Sequence, residues 1–62
     1  MTLGQMETRA VTFASSYGDH SGVFLAGKCV YIHPEGRFYT LEFTSPVTGE
    51  KFRESYYFED RA

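Results

Sequence analysis

The chain has no tryptophan, one cysteine, two prolines and no surplus of basic residues. Each shortage excludes something. A lone Cys29 cannot form an intramolecular disulfide, so no covalent staple supports the fold and a reducing compartment is expected. The longest apolar runs are four residues, as in Val23-Phe-Leu-Ala26. A membrane-spanning helix needs about 20. Six Lys and Arg stand against eight Asp and Glu, a formal net charge of −2. Binding to nucleic acid by charge alone calls for the opposite balance. The start, Met1-Thr-Leu-Gly-Gln-Met-Glu7, has neither a basic segment nor an apolar run, so no signal peptide is expected and the expected location is cytoplasmic. No glycine-rich phosphate loop or dinucleotide fingerprint occurs.

What is abundant is aromatic. Six Phe and five Tyr make 18% of 62 residues. Large rings give a short chain more buried area per residue. It needs this, because a chain of this size buries only about 60% of its unfolded surface. One domain is expected over 1–62, with 1–8 and 59–62 frayed.

The pattern is β throughout. Residues 9–14 place Val11 and Phe13 on one side and Thr12 on the other. A helix over 3–16 competes, but Val11, Thr12 and Phe13 favour extension. Ser15-Ser-Tyr-Gly-Asp-His-Ser-Gly22 has loop composition. A short strand over 23–26 is interrupted at Gly27, where a bulge or sharp bend is expected. Residues 28–33, 37–44 and 51–58 are further strands. His33-Pro-Glu-Gly36 reads as a type I turn with a glycine bulge in a three-residue hairpin loop. Ser45-Pro-Val-Thr-Gly49 is a turn of the same kind, one residue longer. Five short strands are too few for a two-sheet sandwich, and closure removes exposed edges. The expectation is an all-β chain, a small five-stranded antiparallel SH3-like barrel or half-barrel.

Paired by that hairpin loop, His33, Tyr31 and Cys29 oppose Arg37, Tyr39 and Leu41 on one face. Ile32, Val30 and Lys28 oppose Phe38, Thr40 and Glu42 on the other, with Lys28 and Glu42 forming an ion pair. Neither face is polar, and which one forms the core stays open. Either the sheet wraps so that both faces find cover, or a partner or second copy covers one, or twist turns different halves inward.

Gly27-Lys-Cys-Val-Tyr-Ile-His33, with Phe38-Tyr-Thr-Leu-Glu-Phe43 after the turn, resembles the central hairpin of SH3-like barrels of the KOW and Tudor kind. With its His-Pro-x-Gly-Arg-Phe-Tyr core, the chain is also similar to short uncharacterised proteins of phages and mobile elements in Gram-positive bacteria. The resemblance covers about half the chain and implies a hairpin more than an activity. It also implies an accessory protein that blocks or modulates a larger host protein, for example a defence nuclease such as a CRISPR effector.

Enzyme chemistry finds little to stand on. Cys29 and His33 lie roughly 13 Å apart along one strand, too far to share a metal ion. Asp19-His20-Ser21 has the letters of a triad, but triad members meet in space rather than in sequence. Glu42 and Glu54 are expected in structural ion pairs with Lys28 and Arg53. A non-enzymatic protein is expected, without metal or cofactor. The stronger signal is aromatic and basic clustering, which suits a protein interface. Tyr31, His33, Arg37, Phe38, Tyr39, Arg53 and Tyr57 are the candidate partner-binding residues. A homodimer through a sheet edge or the aromatic face is an alternative partner arrangement. A nucleic-acid module, with stacked aromatics and Lys/Arg on the backbone, is the alternative function, disfavoured by the charge balance.

Overall fold

The structure is a computed structural model that describes residues 1–58. It is all-β: β1 (Met6–Ser15), β2 (Gly18–Ile32), β3 (Phe38–Thr44) and β4 (Lys51–Tyr57). They form one antiparallel meander in the order β1-β2-β3-β4, curled into a half-barrel.

Among the described residues there are four strands, not five. The segments expected at 23–26 and 28–33 belong to β2, a single 15-residue strand. Two bulges bend it. Val11 pairs with Val23 and Thr12 with Ser21, so Gly22 is the extra residue, with φ of 75°. A glycine in this left-handed region is the usual device for such a bulge. On the other flank Cys29 pairs with Leu41 and Tyr31 with Thr40, which leaves Val30 unpaired. An extra residue bends a strand and sharpens its twist, so β2 curves enough to serve two neighbours without breaking.

The turn residues of 15–22 were expected to form a loop. Ser15 instead pairs with Gly18, and the turn is only Ser16 and Tyr17. Asp19, His20 and Ser21 continue into β2. The start of the chain was expected to fray, yet Gly4 N–H donates to Cys29 O at 2.7 Å, and Cys29 N–H donates to Gln5 O at 2.9 Å. The expectation for 59–62 lies outside the described residues.

Gly27 makes no bulge. It pairs with Glu7 in regular register and faces the interior. A Cβ there would stand 2.6 Å from Phe43 Cε1 and 3.0 Å from Leu41 Cβ. Glycine is required because the Phe43 ring lies across the β2 backbone.

The concave side holds the core. Val11, Phe13, Cys29, Tyr39, Leu41 and Phe43 are buried, with Phe52, Tyr56 and Phe58 packed against them. Phe43 and Phe52 stack at 5.4 Å between ring centroids, and Phe13 and Phe52 at 5.7 Å. These contacts join β3, β4 and β1 over the hollow.

Both later turns fall where Pro and Gly mark them. In the first, Gly36 N–H donates to His33 O and His33 N–H to Phe38 O, which leaves four residues in the loop, one more than expected. Gly36 has φ of 73°. Gly36→Val is expected to destabilise by about 2 kcal/mol, because a β-branched residue fits this region poorly. A lower urea midpoint with unchanged slope is the expected readout. In the second turn, Ser45 is 5% exposed, and its Oγ accepts from Val47 and Thr48 N–H at 3.2 Å each.

Candidate functional site

The bulge at Val30 decides which aromatics face outward. Without it, Tyr31 would share the inward face of Cys29. With it, Tyr31 turns out and Ile32 turns in. The expected pairing of Tyr31 with Tyr39 is therefore corrected to Tyr31 with Thr40 and Ile32 with Tyr39. Beyond the bulge, the expected Ile32–Phe38 and His33–Arg37 pairs shift too, and His33 bonds to Phe38.

The convex face consequently carries a row of rings. Phe38 lies at the centre, 5.8 Å from Tyr31, 5.0 Å from His33 and 6.2 Å from Tyr57 between ring centroids. Tyr57 is 80% exposed and Tyr31 45%. Next along the face, Thr40 Oγ1 and Ser55 Oγ share a hydrogen bond at 2.9 Å. Beyond them Arg53 Nε donates to Glu42 Oε2 at 3.2 Å. Glu42 was expected to pair with Lys28. They are aligned across β2 and β3, but the carboxylate bonds to Arg53 on the other side. Arg37 sits in the hairpin loop and bonds to Glu35 at 3.2 Å. His33 Nδ1 accepts from Glu35 N–H at 3.0 Å, which orients its ring.

Of the seven candidate residues, Tyr31, His33, Phe38 and Tyr57 come together as one patch. Arg37 stands in the loop beside it, and Arg53 lies two rows along the same face. Tyr39 does not belong to the patch. It is 6% exposed and lies in the hollow, because the parity of β3 puts it with Leu41 and Phe43.

Tyr39 belongs instead to a cluster that sequence reasoning missed. Arg9 Nη2 donates to Tyr39 Oη at 2.7 Å, and Tyr39 O–H donates to Glu7 Oε1 at 2.8 Å. The Arg9 guanidinium carbon lies 4.2 Å above the Tyr56 ring. Its Nε is 3.4 Å from Glu7 Oε2, out of line for a hydrogen bond, and is buried without one. The signal was the alternation Glu7-x-Arg9-x-Val11-x-Phe13, which puts two charges on the apolar side of β1 once that strand starts at Met6.

Burial, then the hydrogen bond donated to Glu7, pushes the Tyr39 pKa above the ordinary 10.0, and Arg9 offsets only part. Burial, then the charge of Glu54, raises Tyr56 as well. Both phenols stay protonated at neutral pH, so the cluster acts as a clasp from β1 to β3 and β4 rather than as an acid–base pair. The sign for stability follows. Folded pKa values above the unfolded ones stabilise fully below pH 10, and the contribution is lost as pH rises from there through the folded values. Urea unfolding between pH 8 and 11 is expected to show falling stability above pH 10. Tyr39→Phe is expected to be less stable at pH 8 by about 1 kcal/mol and to show a shallower alkaline fall. An unchanged alkaline slope contradicts the clasp.

The other chemistry-bearing residues stand apart. Cys29 is buried. His20 stacks on Phe13 at 5.0 Å, and its Nε2 lies 2.9 Å from Ser15 Oγ. That hydroxyl is also 3.3 Å from Gly18 O and accepts from Tyr17 N–H, so it serves the β1–β2 turn. Among the described residues, no three His, Cys, Asp or Glu gather closely enough to hold a metal ion, and no helix is long and apolar enough to cross a membrane. Compared with protein-family models, with known proteins and with solved structures, the chain matches none of them.

Proposed function

We propose that this chain is a non-enzymatic binding module that docks on a larger protein through Tyr31, Phe38 and Tyr57. His33, Arg37 and Arg53 stand at the rim of the contact. The observation that carries this reading is the exposure of Tyr57 and Tyr31 on the face of a one-sided sheet where polar residues normally meet water. Tyrosine supplies broad apolar contact with a polar tip, and clustered exposed rings are the usual anchors of protein interfaces. The mechanism is steric: the rings seat on the partner and the rim charges set orientation. The four-stranded curl is in keeping with an SH3-like half-barrel. The resemblance to phage and mobile-element proteins suggests a host defence nuclease, such as a CRISPR effector, as the kind of machine occupied.

The nucleic-acid reading keeps one specific observation. Lys28, Lys51 and Arg53 share the convex face with the rings, which suits base stacking and phosphate contact. Arg53 is already paired with Glu42, and Arg37 with Glu35, which leaves less charge for phosphate.

Retention of a partner from lysate, with and without nuclease, compares the wild type with the Tyr31→Ala/Tyr57→Ala double variant. A loss of at least tenfold in the variant, insensitive to nuclease, is expected. Retention abolished by nuclease and falling steeply with salt supports the nucleic-acid reading instead. Full retention by the double variant removes the patch from both readings.

A further inference from the structure

β1 and β4 are the outer strands of the sheet, and among the described residues no backbone hydrogen bond joins them. The curl brings them face to face across a seam. Arg9 over Tyr56 and Phe13 against Phe52 cross it. Both keep the same antiparallel alignment, which sets Val11 opposite Glu54 between them. Beside the Phe13–Phe52 pair a cleft of about 190 Å³ opens, bounded by Thr12, Ala14, Glu54 and, at its end, Ser45 and Thr48.

We infer that this seam is a second binding site, which takes an extended peptide segment of a partner protein bearing one apolar side chain flanked by lysine or arginine. The unpaired N–H and C=O rows of two edge strands are the complement of an extended backbone, the mode in which a peptide adds a strand to a sheet. The cleft is well below the roughly 300 Å³ of a small-molecule pocket and holds a single side chain against the two phenylalanines. Glu50 and Glu54 line it, are exposed, and form no ion pair with a described residue, whereas Lys51 is the one cation among the described residues that line it. The lining therefore favours a cationic segment.

A second copy of this chain fits less well. Glu7 and Arg9 on β1 and Glu54 on β4 are charges aimed inward from edge strands, a device that discourages pairing of one sheet edge with another. This site lies on the opposite side of the sheet from Tyr31 and Tyr57, so the two can fail separately.

The test is an amide NMR titration of the full chain with the peptide Thr-Lys-Thr-Leu-Thr-Lys-Thr, which puts both lysines on the side of the leucine. Saturable shifts in residues 11–14 and 51–54 are expected. Binding is expected to weaken at least tenfold when glutamates replace the peptide's lysines or when alternate peptide amides are N-methylated, and several-fold for Glu54→Gln. The Tyr31→Ala/Tyr57→Ala variant is expected to bind the peptide unchanged. No shifts at millimolar peptide, or shifts centred on Tyr31 and Tyr57, overturn the site. Concentration-dependent shifts of the same edges without peptide overturn it too, because a second copy then occupies the seam.

Discussion

Gly27→Ala is expected to remove most of the stability of this protein. The added Cβ would come within 2.6 and 2.8 Å of the Phe43 ring and 3.0 Å of Leu41 Cβ. The ring has little room to yield. It is 1% exposed and stacked on Phe52, and Leu41 beside it has no exposed surface. Overpacking a tight interior costs about 1–3 kcal/mol, and this site belongs at the upper end. A 62-residue chain has a total stability of only about 5 kcal/mol. A methyl group thus raises the unfolded fraction about a hundredfold, to a few per cent. Thermal melting followed by near-UV circular dichroism measures this, with an expected fall in midpoint of more than 10 °C. A variant melting within 2 °C of the parent means that Phe43 does not cover Gly27.

The second large effect is at the other side of the same contact. Phe43→Ala is expected to cost about 3–5 kcal/mol, since it empties the centre of a core with few other fully buried side chains. The ring touches Phe52 and covers the β2 backbone, so its loss exposes several neighbours at once. The two positions are coupled. In a Phe43→Leu background, Gly27→Ala is expected to be less harmful than in the parent, and a double-mutant cycle reads the coupling directly. Additive losses contradict direct contact.

How much of this was legible depends on which residues carried the information. The Pro–Gly corners at Pro34–Gly36 and Pro46–Gly49 were readable because each needs a pre-set or positive φ. The pairs Lys28–Glu42 and Cys29–Leu41 came out as expected because the extra loop residue and the extra residue Val30 cancel in register. Several of the failures trace to glycines and bulges. A glycine between strand-like segments can be a turn, a bulge or a point of close approach, and the amino-acid string does not separate them. Gly22 looked like the end of a loop and is a bulge. Gly27 looked like a bulge and is the place where a ring lies on the backbone. Val30 carried no signal, since a valine fits a regular strand as well as a bulge. Yet its extra residue reversed the side of Tyr31.

The candidate patch survived this error in part. Phe38 and Tyr57 face outward by their own parity in β3 and β4, and Tyr31 joined them through the bulge. Tyr39 was lost to the core for the complementary reason. The Arg9–Glu7–Tyr39 clasp was missed because the composition of residues 1–8 suggests fraying, which hides Glu7 as the partner of Arg9 on the apolar side of β1. Their cost is offset by mutual pairing and by the Tyr39 hydroxyl.

The convex row of rings rests on the bulge at Val30, and nuclear Overhauser contacts of the Tyr31 ring test it most directly. The expected result is contact from Tyr31 to Phe38, with none to Leu41 or Phe43. Contacts from Tyr31 to Leu41 would place it inside with Cys29 and contradict the bulge and the row of three outward rings.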